Sequence, residues 1–143
     1  MTSSQPVATP QALNFTPDNK HAYAFSGDVI VTNGAGQVTM LEFQTNSEYI
    51  VAEFSFGTGD TTFSAAKNIG YQINYNDTLI FSQLSITDGD GTLNYDGACF
   101  PQKMIIPPFT SVKVTGFTTD TDNIDCFCMF SGQAIGMTET GYQ

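Results

Sequence analysis

Residues Lys103–Gly136 read KMIIPPFTSVKVTGFTTDTDNIDCFCMFSGQAIG, and the punctuation of this stretch decides the fold class. Met104–Ile106 is a short apolar run halted by Pro107 and Pro108. Neither proline can donate to a sheet ladder, so the pair belongs at a sheet edge or corner. Beyond it, Ser111–Thr118 alternates, with Val112, Val114 and Gly116 on one side and Lys113, Thr115 and Phe117 on the other. A period of two is that of a strand, which a helix cannot use. The turn Asp120–Asn123 leads into Ile124–Ile135, the most apolar strand of the chain and therefore expected to be central.

The same period runs through the residues upstream. Ala22–Phe25 and Asp28–Thr32 read as one strand with a bulge at Gly27, and Asn33–Gly36 as a hairpin loop, since Asn-Gly supplies the positive φ of tight turns. In the next strand Val38, Met40, Glu42 and Gln44 oppose Thr39, Leu41, Phe43 and Thr45. Glu48–Phe56 sets Ile50, Ala52, Phe54 and Phe56 on a core face and Tyr49, Val51, Glu53 and Ser55 on a wet one. Ile69, Tyr71, Ile73 and Tyr75 share a face, Asn76-Asp77 turns, and Thr78–Thr87 returns with Leu79, Phe81 and Gln83 opposite Ile80, Ser82, Leu84 and Ile86. Short strands about ten residues apart, with no helical periodicity, predict an all-β, single-domain, jelly-roll-like antiparallel β-sandwich. An immunoglobulin-like sandwich would have a buried Trp and paired cysteines, and the chain has no Trp.

At 143 residues the chain is expected to be one domain, 21–136, with a flexible arm over 1–20 and a tail over 137–143. The arm carries Pro6, Pro10 and Pro17 among small and polar residues, too little apolar surface to fold alone. Extended, it would reach roughly 65 Å, and it would be ordered only on a partner whose contacts offset its entropy.

Four lysines, no arginine and fourteen carboxylates give a formal net charge of −10. Nucleic acid and anionic membrane surfaces are excluded as partners, because both require clustered cations and Lys20, Lys67, Lys103 and Lys113 stand singly. No apolar run is long enough to span a bilayer as a helix, and MTSSQPVATP shows no secretory signal. Cys99, Cys126 and Cys128 are odd in number, and the last two share a strand face at i, i+2; they read as small buried hydrophobes of a chain assembled in a reducing cytosol.

Asp88–Gly97 is the longest turn-forming stretch. Asp88, Asp90 and Asp96 are its calcium candidates, but an EF-hand needs glycine at the sixth position, where Leu93 stands, so a solvated turn is expected. Asp120, Asp122 and Asp125 form a second acidic turn of the same kind. Asn94, Tyr95 and Asp96 are the one stretch suited to stacking on a sugar ring, which keeps a glycan-binding or receptor-binding module as an alternative. No G-x-S-x-G, Walker loop, H-x-H or Ser/Cys–His constellation is present, and His21 is the single histidine. Neither an enzymatic activity nor a cofactor is expected.

The proline-rich arm, the short alternating strands, Ile106–Val114 and the closing Ser131–Gly136 together resemble the small β-sandwich virion proteins of tailed bacteriophages, in particular the capsid decoration or cement proteins. That resemblance implies a non-enzymatic, often trimeric protein on the outer capsid surface, assembled in the host cytoplasm, that clamps subunits of the major capsid protein. It would do so partly through its arm, whose apolar residues Pro6, Val7, Pro10, Leu13 and Phe15 would make the contact. A tail or baseplate component is the neighbouring possibility. With so few cations, attachment is expected to depend little on salt.

Overall fold

The computed structural model describes residues 13–32, 34, 36–58, 67–86, 99–121 and 123–139. Nine strands run in chain order: β1 Leu13–Phe25, β2 Val29–Val31, β3 Val38–Gln44, β4 Tyr49–Thr58, β5 Asn68–Tyr75, β6 Thr78–Ile86, β7 Cys99–Ile106, β8 Ser111–Phe117 and β9 Ile124–Glu139. They form two antiparallel sheets, one ordered β1-β9-β4-β7 with β2 also on β9, the other ordered β3-β8-β5-β6.

β1 and β2 are one interrupted strand. Phe25 faces Met129 and Val29 faces Cys126, so the chain advances by one residue more than β9 does between them. The extra residue lies at Ser26–Asp28, where Gly27 has φ +69°, and the bulge read at Gly27 is present. The Ser26 N–H donates to the Cys128 carbonyl at 3.0 Å, and the Cys128 N–H donates to Ser26 Oγ at 2.8 Å. With β1 and β2 merged, the strand pairs nest: first with last, second with second-last, and so inward. That nesting is the double-sheet jelly roll.

Several expectations change. The arm does not extend to residue 20, because Leu13–Phe25 is a single strand on β9, with Leu13 opposite Glu139. Its composition is poor for a strand, but the free edge of β9 accepts it, and Pro17 is tolerated because β1 is an edge strand with a register shift between Pro17 and His21. For the same reason β9 runs to Glu139, into the expected tail. The segment after β2 is not a hairpin loop: β2 pairs in one sheet and β3 in the other, so the chain crosses between sheets there, with Gly34 at φ +90° and Gly36 at +68°.

The core lies between the sheets. Ala52, Phe54 and Phe56 of β4, Ile69, Tyr71 and Ile73 of β5, Val112 and Val114 of β8, and Ile124, Cys126, Cys128 and Phe130 of β9 are all buried. Each fully buried large side chain is worth roughly 1.5–3 kcal/mol. Aromatic rings lock the layers: Phe56 stacks on Tyr71 with centroids 4.7 Å apart, and Phe43 meets Phe130 at 4.7 Å. In β3 the expected alternation fails at Met40. Thr39 faces Thr115 and Leu41 faces Val114, so Met40 is a bulge residue, and it enters the core together with Leu41 and Phe43.

Pro107 and Pro108 occupy the corner expected of them. The edge strand β7 ends at Ile106, and the chain crosses to β8 beside the matching crossing from β3 to β4. The Phe109 N–H donates to the Asn46 carbonyl at 2.8 Å, tying the two crossings together.

Candidate interaction surface

Facing residues of an antiparallel pair share a face. The register of β1, β9, β4 and β7 therefore defines what the first sheet shows to its outside. One row runs His21, Gln133, Val51, Ile105; the next runs Tyr23, Ser131, Glu53, Lys103; a third runs Phe25, Met129, Ser55. On β2, Ile30 faces Asp125. Tyr23, at 68% exposure, and Phe25, Ile30, Val51, Ile105 and Met129 are all exposed large apolar side chains of this one face. Phe25 also meets Phe127 edge-on at 6.0 Å, with the Phe127 ring covering Gly57, where no Cβ would fit.

The lysines on and beside this face are ion-paired, while Asp125 adds a carboxylate at its β2 end. Lys103 Nζ lies 3.8 Å from Glu53 Oε2, and Lys20 Nζ donates to Glu48 Oε1 at 2.9 Å. Both pairs are open to solvent and contribute little to stability, but they offset the lysine charges at the centre of the face on a chain of net charge −10. Between them lies a shallow hollow of about 350 Å³ bordered by His21, Val51, Glu53, Lys103, Ser131 and Gln133. A smaller one of about 200 Å³ lies past His21, toward Lys20, Asn46 and Glu48. Neutral hydrogen-bonding groups ringed by apolar side chains suit protein contact.

The outer face of the second sheet is different. Gln72 faces Thr115, Asn74 faces Lys113, and Lys113 faces Glu42, so its middle is polar. Thr115 Oγ1 donates to Gln37 Oε1 at 2.6 Å. The exposed apolar residues of this sheet, Leu79, Ile80 and Leu84, lie along β6, and Phe117 lies over Gly70.

Of the residues singled out from sequence, Leu13 and Phe15 lie on β1, opposite Glu139 and Met137. Pro6, Val7 and Pro10 lie outside the described residues, as do Asp88, Asp90, Asn94, Tyr95 and Asp96. Asp122 is also outside them. Its neighbour Asp120 ties β5 to the end of β8, since the Asp120 carboxylate accepts from the Asn68 N–H while Thr118 Oγ1 donates to the Asn68 carbonyl at 2.6 Å. Among the described residues, no group of three or more His, Cys, Asp or Glu gathers around a point. Cys126 and Cys128 are buried thiols on the core side of β9. The outer face of the first sheet was not read as a site from sequence, although Val51 within a nominally wet face, with Tyr23 and Phe25 at matching parity, carried the signal.

No family model matches the chain, and no curated protein matches it in sequence. Solved structures do match. A chain from the structure of infectious bursal disease virus, Gx strain, is similar over 93% of this chain and 37% of its own length, at 15% identity and a TM-score of 0.50. A chain of the infectious bursal disease virus VP2 subviral particle is similar over 100% of this chain and 47% of its own, at 9% identity and a TM-score of 0.43. This chain thus spans less than half the length of those it matches. At this identity the likeness shows the fold alone, an all-β sandwich of two antiparallel sheets.

Proposed function

We propose that this chain is a non-enzymatic structural protein of a virion that decorates the outside of a shell. It bridges subunits of the major capsid protein through the outer face of the β1-β9-β4-β7 sheet. The observation that carries this reading is the nested jelly-roll strand order combined with an outer face that bears Tyr23, Phe25, Val51 and Ile105 around the Lys103–Glu53 ion pair. Apolar burial with few net charges gives attachment without electrostatic matching. Pro6, Val7, Pro10, Leu13 and Phe15 add apolar contacts to the shell.

The test is co-sedimentation with undecorated shells of the cognate major capsid protein. The full chain binds at fixed stoichiometry. Val51→Lys and Ile105→Lys, which place charges on exposed positions of the face, abolish binding while leaving the fold intact. A truncation testing the arm has to stop before Leu13, since a longer one removes part of β1. Undiminished binding by both lysine variants would overturn the assignment of this face.

The likeness to the infectious bursal disease virus chain favours a second reading, in which this chain itself builds a shell. Closed particles formed by the purified protein alone, seen by electron microscopy, would select that reading over decoration.

A further inference from the structure

We propose that Phe109 is an aromatic anchor that seats in an apolar cleft of the shell subunit, a contact that rests on the attachment proposed above and extends it to the end of the sandwich. The backbone carries the argument. Among the described residues, three that are not glycine have positive φ: Asn76 at 48°, Asp77 at 65° and Phe109 at 53°. Asn and Asp tolerate this region, whereas a bulky side chain there is an outlier. A core aromatic could offset the strain by its burial, but Phe109 is 68% exposed. Glycine at this position would relieve the strain and take nothing from the core, so what the ring offers lies outside this chain.

The ring stands on a rigid mount. Pro107 and Pro108 fix their own φ. Thr45 Oγ1 donates to the Pro107 carbonyl and accepts from the Thr110 N–H, each at 2.8 Å, and the Phe109 N–H donates to the Asn46 carbonyl at 2.8 Å. A side chain presented on a fixed backbone has less freedom to lose on binding, and aromatic residues are enriched at protein contacts. The place of the mount identifies the partner. Asn46 borders the smaller hollow past His21, and Ile105, which ends the row His21, Gln133, Val51, Ile105, precedes Phe109 by four residues. Four residues span at most about 14 Å, while one side of a standard interface covers about 800 Å², roughly 28 Å across. A subunit lying on Val51 and Ile105 therefore reaches Phe109 within one footprint. Ile105–Val112 carries no charged residue, so the surface that receives the ring is an apolar cleft with an uncharged polar rim.

Co-sedimentation with undecorated shells of the cognate major capsid protein, run beside thermal unfolding of the free chain, tests this. Phe109→Gly and Phe109→Asn, both suited to the positive φ, are expected to weaken attachment at least about tenfold while the melting temperature does not fall. Phe109→Tyr, which keeps the ring, binds better than either. A merely structural role would lower binding and melting temperature together. Undiminished binding by the Gly and Asn variants, with the wild type bound, overturns the anchor and leaves the outer face standing. A wild type that does not bind overturns the attachment itself, and the anchor with it. Self-association of the free chain in sedimentation velocity, abolished by Phe109→Gly, would place the ring on a second copy and overturn its assignment to the shell.

Discussion

Thr45 and Thr110 bind each other across the seam where the chain changes sheets: the Thr45 N–H donates to the Thr110 carbonyl at 3.0 Å, and the Thr110 N–H donates to Thr45 Oγ1 at 2.8 Å. Thr45 Oγ1 in turn donates to the Pro107 carbonyl at 2.8 Å. Both threonines are buried. Thr45→Val keeps the shape and removes the oxygen, leaving the buried Thr110 N–H and the part-buried Pro107 carbonyl without that partner. A loss of about 1–3 kcal/mol is expected, read from the midpoint of urea unfolding at unchanged slope.

Phe109 sits beside this seam at φ +53° and 68% exposure. A bulky side chain is strained in that backbone conformation, and little burial offsets the cost. Phe109→Gly is expected to preserve the fold and to stabilise it by up to about 1 kcal/mol, relief of strain exceeding the entropy of glycine. Thermal unfolding reads the sign, and a lower melting temperature would refute it.

Gly132 faces the core of the first sheet, where an added Cβ would lie 2.6 Å from Ile50 Cγ2 and 2.8 Å from the Phe130 ring. Phe130 is itself held between Phe43 and Phe54, so it has little room to yield. Gly132→Ala should cost about 1–3 kcal/mol by overpacking. The same change paired with Phe130→Leu should cost less than the sum of the two single changes.

Burial pushes the Tyr75 phenol up to about 12 from an ordinary 10.0, with its hydroxyl 3.4 Å from the Ile105 carbonyl. The folded chain therefore holds this proton more tightly than the unfolded chain does. Its contribution to stability is complete below pH 10 and is lost as pH rises toward 12. Unfolding midpoints should fall over that window in the wild type and fall less in Tyr75→Phe, with tyrosinate absorbance showing one late-titrating phenol.

Because the lysines on the outer face of the first sheet are paired with Glu53 and Glu48, attachment through that face should depend only weakly on salt. Loss of more than half the bound protein between low and high salt would count against a neutral, apolar contact.

The parts of the fold legible in sequence were those where one face is buried against a regular neighbour. Phe54 and Phe56, Ile69 and Ile73, and Val112 and Val114 went to the core as their alternation indicated. What stayed hidden depends on partners distant in sequence. Nothing local in Leu13–Lys20 marks a strand; it is one because β9 offers an edge to it. Nothing local at Met40 announces a bulge, since the extra residue exists only relative to β8. Turn chemistry at Gly34 and Gly36 provided a reversal but could not say which sheet would receive the next strand. The outer face is assembled from β1, β4, β7 and β9, so no single segment displays it.

The partnership of the first strand with the last also sets an order in time. Loop closure over almost the whole described chain must precede the pairing of Leu13 with Glu139, and contacts of such separation form late and slowly. On a ribosome, β1 emerges first and waits for β9, which must also seat against β4. Until then the strand edges that finally meet stay open, and a nascent chain is association-prone until β9 has been made. Contacts made through the finished outer face therefore belong to chains whose synthesis has passed β9, which separates folding from assembly in time.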